Sequence, residues 1–260
     1  MNVIVCIKQV PDTTEVRIDP VTKNLVREGV KSIINPFDTY AIEEGVRLKE
    51  KFGGKVTAVT MGPPQADAVL REAISLGCDD AILVSDRAFA GSDTLATGYT
   101  LSKAVAKIKD YDLIICGKQA IDGDTAQVGP GVAAMLDIPQ ITYVRKINDV
   151  KDGEITAERS TEEGYEVVQT KLPCLITVVK EINTPRLPSL KGKMKAKSAV
   201  IQAWKAVDIE AEPDRIGLKG SPTEVWKIFT PPARAQGQIF QGEAQASVDQ
   251  LVDSLKGLLY

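Results

Sequence analysis

Four times in the first half of the chain, a short β-branched apolar run is followed by a longer stretch with helical periodicity. The runs are Val3 to Ile7, Lys55 to Met61, Ala81 to Val84 and Leu113 to Cys116. Apolar side chains do not alternate with polar ones in these runs, as expected of strands buried on both faces. Ala41, Gly45, Leu48 and Phe52 share one helical stripe, and Ala66, Val69, Leu70 and Ala73 a second. Gly98, Leu101, Val105 and Ile108 form a third stripe, and Ala126, Gly129, Val132, Ala133 and Leu136 a fourth. Asn35-Pro36-Phe37-Asp38 opens the first helix, Gly53-Gly54 stops it, and Ser92-Asp93-Thr94 caps the third. Strands alternating with helices predict an α/β fold, a mainly parallel sheet with helices on both faces.

Past Pro139 the pattern changes. Residues 141–147, 154–160, 164–170 and 174–179 read as strands, with turns at Asp152-Gly153 and Glu163-Gly164. They predict an antiparallel extension of the same sheet. Residues 10–34 read as a long connection with a small hairpin from Glu15 to Ile18 and Asn24 to Val26. The chain divides into an α/β domain over 1–210 and a C-terminal arm over 211–260, which carries Pro213, Pro222, Pro231 and Pro232. The arm ends in a helix over about 246–259 with Val248, Leu251, Val252, Leu255, Leu258 and Leu259 on one face. Such a face on an open tail calls for a surface to bury against, either the chain's own domain or, the reading preferred here, a partner chain.

Composition narrows the chemistry. The chain has no histidine, which excludes Ser-His-Asp and Cys-His nucleophile systems within it. Its four cysteines, Cys6, Cys78, Cys116 and Cys174, show no metal-ligand spacing, so we expect no metal site. A net charge of −3 gives no general attraction to nucleic acid or to an anionic membrane. No apolar run is long enough to span a bilayer, and the N-terminal one is too short for a signal peptide, so the expected location is cytoplasmic.

Open parallel sheets bind ligands beyond the carboxyl ends of their strands. Those ends supply Cys6 to Gln9, Asn35 to Asp38, Met61 to Pro63, Ser92 to Thr97 and Gly117 to Gly129. In the last segment Thr125, Ala126, Gln127 and Val128 are read as opening a helix, where backbone amides lack intrahelical partners and suit a phosphate. A capped helix after an ordinary loop would give the same pattern, and neither the dinucleotide fingerprint nor a P-loop is present.

Four segments together resemble the beta subunit of electron-transferring flavoproteins. They are Val5-Cys6-Ile7-Lys8-Gln9-Val10; Asn35-Pro36-Phe37-Asp38 with Ala41-Ile42-Glu43-Glu44; Gly117-Lys118-Gln119-Ala120-Ile121-Asp122-Gly123-Asp124; and Pro185-Arg186 with Met194-Lys195-Ala196-Lys197. The resemblance implies an adenine-nucleotide alpha-hydrolase-like fold and a heterodimer with an alpha subunit that holds a flavin. It also implies an adenine nucleotide in this subunit. In the conventional branch that is a structural AMP. In the electron-bifurcating branch it is FAD, which takes hydride from NADH and divides electrons between ferredoxin and, through the alpha-subunit flavin, a flavin-dependent dehydrogenase. The small residues Gly123, Thr125, Ala126 and Val128 resemble the bifurcating branch, and they leave room for a diphosphate.

By position the resemblance assigns Cys6, Asn35, Asp38 and Met61 to the adenosine or ribityl end. It puts Thr94 and Thr97 beside the phosphates or ribityl chain, and residues 122–128 (Asp122, Gly123, Asp124, Thr125, Ala126, Gln127, Val128) on the diphosphate. Lys8, Pro36, Phe37, Gly117 and Gln119 complete the expected cofactor site. No catalytic residue is expected, because the flavin carries the chemistry of this electron carrier. Residues 185–197 form a basic loop that the resemblance makes a docking element for the dehydrogenase, with Arg186, Leu190 and Met194 as contacts. Two other classes fit the α/β layout. A universal-stress-type nucleotide-binding regulator would self-dimerise without flavin. An amidating enzyme would need a Ser-Gly-Gly-like loop where this chain has Lys8-Gln9-Val10-Pro11.

Overall fold

A computed structural model describes residues 1–12, 17–18, 25–26, 32–226 and 237–257. The first elements are β1 (Val3–Cys6), β2 (Gln9–Pro11), β3 (Arg17–Ile18), β4 (Leu25–Val26), β5 (Ser32–Ile34) and α1 (Pro36–Phe52). Next come β6 (Val56–Met61), α2 (Asp67–Leu76), β7 (Asp80–Val84), α3 (Thr94–Ile108), β8 (Leu113–Gly117) and α4 (Val128–Leu136). The chain continues through β9 (Gln140–Lys151), β10 (Glu154–Ser160), β11 (Tyr165–Lys171) and β12 (Cys174–Val178), then α5 (Leu190–Ser198), β13 (Gln202–Trp204) and α6 (Ala244–Lys256).

β1 is central, parallel to β6 on one side and to β8 on the other. From β1 the chain builds outward through β6 to β7, with α1 and α2 on one face. Then α3 carries it across the other face to β8, on the opposite flank of β1. Strand order therefore reverses between β1 and β8, which makes their carboxyl ends a topological switch point. Val3, Val5 and Ile7 enter a core with Ile42, Val46 and Leu70 of α1 and α2. Ile4 and Cys6 enter a second core with Tyr99, Val105 and Val132 of α3 and α4. Burial on both faces is what an unbroken apolar strand needs.

The full sheet runs β11-β10-β9-β12-β8-β1-β6-β7-β13. Its extension is antiparallel in β9, β10 and β11, as the turns at Asp152-Gly153 and Glu163-Gly164 imply. One strand differs from that expectation. β12 inserts between β8 and β9 and runs parallel to both. All of Cys174–Val178 is buried, which suits an interior strand better than an added hairpin. β13, parallel to β7 at the edge, is too short to show a sequence period. The expected hairpin in the long connection pairs β3 with β4, though Glu15, Val16 and Asn24 lie outside the described residues.

The basic loop of the sequence reading is a helix over its second half. The Ser189 hydroxyl caps α5 by accepting from Gly192 N–H at 3.0 Å. Arg71 closes the other end, donating to the carbonyls of Ala196 (2.8 Å) and Ala199 (3.2 Å). Met, Lys and Ala are good helix formers, and these two caps offset the cost of Gly192.

The described chain falls into two compact units, Met1–Trp226 and Lys227–Tyr260. Ile209 and Ile216 are buried in the second core of the first unit. α6 belongs to the second unit and exposes Val248, Leu251, Val252 and Leu255. Leu258, Leu259, Pro231 and Pro232 lie outside the described residues. No helix among the described residues is long and apolar enough to cross a membrane.

Candidate functional site

Because β1, β6 and β8 are parallel, their carboxyl ends meet at one edge of the sheet, and the helices that return over it start there. The structure therefore gathers at one edge Cys6 at the end of β1 and Lys8 just after it, Met61 at the end of β6, and Gly117 at the end of β8 with Gln119 just after it. Asn35, Pro36, Phe37 and Asp38 join them at the start of α1, and Thr94 and Thr97 at the start of α3. Arg186, Leu190 and Met194 lie apart, on the face covered by α1 and α2.

A buried brace holds the β8–α4 loop at this edge. Asn35 Nδ2 donates to Asp38 Oδ1 and to the Gln119 carbonyl, both at 2.9 Å, while Asn35 Oδ1 accepts from Ile121 N–H at 3.1 Å. Asp38 Oδ2 accepts the Lys8 amide at 2.7 Å. Asn35, expected at the ligand, thus has its whole amide engaged with the protein. A Cβ on Gly117 would collide with the Asp38 carboxylate and lie 2.8 Å from the Phe37 carbonyl carbon, so this approach admits only glycine. Burial pushes Asp38 up to about 7, against hydrogen bonds from Asn35 and the Lys8 and Gly117 amides, and against the Lys8 charge. Outside the brace, Lys8 Nζ donates to both oxygens of Asp122, and the Gln119 side chain donates to Asp124.

The helix after this loop starts later than the sequence reading placed it. Thr125, Ala126 and Gln127 are still loop, and α4 begins at Val128. The cause is backbone shape: Asp124 (φ 52°) and Ala126 (φ 54°) are left-handed, and Gln127 returns to the right-handed region (φ −107°, ψ −13°). A left-handed residue followed by a right-handed one, as at Ala126 and Gln127, turns successive amides to one side, as in an anion-binding nest. Gln127 provides no side-chain cap. Among the described residues, the amides of Thr125, Ala126, Gln127, Val128 and Gly129 meet no acceptor. Gly129 seats this turn on the sheet, since its Cβ would stand 2.7 Å from Thr177 Cγ2. Thr177 in turn accepts the Tyr143 amide at 3.0 Å. The sequence reading passed over Thr177; a hydroxyl inside the apolar run Cys174–Val178 was its only signal.

The remaining expected residues floor the site or flank it. Cys6 and Cys116 are paired in register and buried on the α3–α4 face, and Met61 packs against that core. The Cys6 hydrogen bond and burial push the Cys116 thiol well up, so it is a neutral packing group. The hydroxyls of Thr94 and Thr97 meet no protein partner among the described residues. A recess of about 370 Å³ beside β9 and β10 offers one cation, Arg159, already bonded to Thr142 and Glu166.

On the α1–α2 face, Arg186 joins Glu43 (2.7 Å) and Glu50 (2.6 Å). Burial alone would raise the Glu43 carboxyl, but Arg186 and Arg47 hold it below the usual carboxylate range. Beside this knot Leu187, Leu190 and Met194 are 88%, 78% and 66% exposed, among Lys191, Lys193 and Lys197.

Comparison with known proteins agrees with this architecture. Residues 22–209 match the family described as the electron transfer flavoprotein domain. The electron transfer flavoprotein subunit beta of Thermoanaerobacterium thermosaccharolyticum is 54% identical over 98% of both chains. The caffeyl-CoA reductase-Etf complex subunit CarD of Acetobacterium woodii is 48% identical, again over 98% of both. Protein FixA of Azotobacter vinelandii is 52% identical over 91% of this chain and 86% of its own. With the switch-point site and a family match over most of its length, the chain belongs to the electron transfer flavoprotein family, among its beta subunits.

Proposed function

We propose that this chain pairs with an alpha subunit and holds FAD at the 125–129 turn. The pair would take electrons from NADH and divide them between ferredoxin and, through the alpha-subunit flavin, a flavin-dependent dehydrogenase. The observation that carries this reading is the row of unbonded amides from Thr125 to Gly129 at the switch point. A row of unbonded amides suits a diphosphate, which has anionic oxygens on two phosphorus atoms. The donor set fits the group in other respects. Lys8 brings positive charge to the same edge, and a Cβ on Gly123 would meet no atom within 4 Å, which leaves open space beside the turn.

When bound, FAD supplies the hydride and single-electron chemistry. The chain's own part is binding and orientation. The amides from Thr125 to Gly129 would take the diphosphate, and the free hydroxyls of Thr94 and Thr97 would meet the ribityl chain or phosphates. The apolar floor of Cys6, Met61 and Cys116 excludes water beneath. Asn35 and Asp38 hold the loop without needing to touch the ligand.

The name of the Acetobacterium woodii relative ties a subunit of this kind to a reductase of a CoA ester. That supports a dehydrogenase partner, for which Leu187, Leu190 and Met194 offer an apolar docking face ringed by lysines. Arg186 would fix that face from behind through Glu43 and Glu50. The apolar stripe of α6 is proposed to seat on the alpha subunit.

The test is a cofactor count on the purified heterodimer, with NADH reduction followed in the visible spectrum. Two FAD per heterodimer, both reducible by NADH, are expected. One FAD with one AMP would overturn the FAD assignment and bifurcation with it.

A further inference from the structure

We propose that Asp122 is a stand-in anion, holding the Lys8 ammonium until a phosphate of the incoming nucleotide takes its place. The proposal rests on the reading that the 125–129 amides hold a diphosphate, and it adds a residue that lowers affinity for that ligand. Lys8 Nζ meets both Asp122 oxygens, at 2.6 and 2.8 Å. This contact joins residues 114 positions apart, the end of β1 and the middle of the β8–α4 loop. The loop has other ties that do not involve Asp122. Asn35 holds Gln119 and Ile121, the Gln119 side chain holds Asp124, and Asp124 N–H donates to the Ala120 carbonyl. Releasing Asp122 therefore frees Lys8 without undoing the loop.

The pair is arranged for exchange. Its side chains are 47% and 34% exposed, so solvent and ligand can approach. An ion pair of that exposure is weak enough to be displaced. Asp38, which also lies near Lys8, is buried and binds the Lys8 backbone amide, while the ammonium bonds Asp122. A phosphate offers Lys8 the same charge-assisted bond, and it can also bond the amides of Thr125 to Gly129, which Asp122 leaves unbonded.

The test titrates nucleotide-stripped heterodimer with ADP, inorganic pyrophosphate and adenosine by calorimetry. Asp122→Asn is expected to tighten ADP and pyrophosphate by about two- to five-fold, the worth of an exposed ion pair, and to leave adenosine unchanged. Lys8→Gln should weaken both phosphate ligands, and Asp122→Asn added to Lys8→Gln should bring no tightening. The proposal is overturned if Asp122→Asn weakens ADP, which would make Asp122 a ligand contact or a loop support. It is equally overturned if the tightening persists without Lys8, which would reduce it to general charge repulsion. If the unaltered heterodimer binds neither ADP nor pyrophosphate, the diphosphate reading itself fails and takes this proposal with it.

Discussion

α3 and α4 start at the same edge of the sheet, and they start differently. α3 begins sealed. Asp93 accepts from Leu95 N–H at 2.9 Å and Ala96 N–H at 3.1 Å, and its second oxygen takes the amide (3.1 Å) and hydroxyl (2.8 Å) of Thr223. Burial alone would raise Asp93, but these bonds hold it below the usual carboxylate range. α4 begins open, with five unbonded amides and no side-chain cap. Both helices carry the same kind of dipole, so the dipole alone does not select the site. On the proposed reading, what selects it is which helix start lacks an anion of its own.

That contrast can be strained hardest at the brace beneath the open start. Asp38 has a carboxyl at about 7 in the folded protein against an ordinary 3.8. Between those values the folded state binds the extra proton. Its contribution to stability is therefore full below about pH 4 and is lost as pH rises through 7. The loss is on the order of 4 kcal/mol. Denaturant midpoints taken from pH 4 to pH 8 should fall by more in the unaltered chain than in Asp38→Asn. Parallel curves for the two would show that the brace carries no such load.

Next in size is a pair of glycines flanking the open turn. Gly117→Ala forces a methyl group against the Asp38 carboxylate and Phe37 backbone, and should cost about 3 kcal/mol or more in urea unfolding. Gly131→Ala, within α4, meets no atom within 4 Å and should be neutral or gain up to about 1 kcal/mol from helix propensity. Equal costs would mean that close packing does not define this turn.

Smallest is the sealed start. Asp93→Ala removes the α3 cap and should lower stability by about 1 kcal/mol. Flavin content should be unchanged if, as proposed, the turn before α4 holds the cofactor. Loss of flavin with little loss of stability would move the site to α3.

Much of this was legible in the sequence, for stated reasons. Continuous apolar runs and helical stripes are local signals, so β1, β6, β7, β8 and α1 to α4 could be read directly, as could the edge where their ends meet. The insertion of β12 could not, because nothing local tells a hairpin return from a parallel one. Nor could the start of α4 at Val128, which depends on left-handed φ at Asp124 and Ala126, residues without the usual glycine signal. Lys8 and Asp122 were each readable as site residues, but their pairing spans 114 positions and needed coordinates. Asn35 reads as a ligand contact, and its three bonds add that it braces the loop.

The most direct measurement is residue-resolved hydrogen–deuterium exchange on the heterodimer, stripped of nucleotide and then reloaded with FAD. The account predicts that FAD slows exchange at Thr125, Ala126, Gln127, Val128 and Gly129, and leaves Leu95 and Ala96 as they were. Protection at the start of α3 with none at the β8–α4 turn would contradict it.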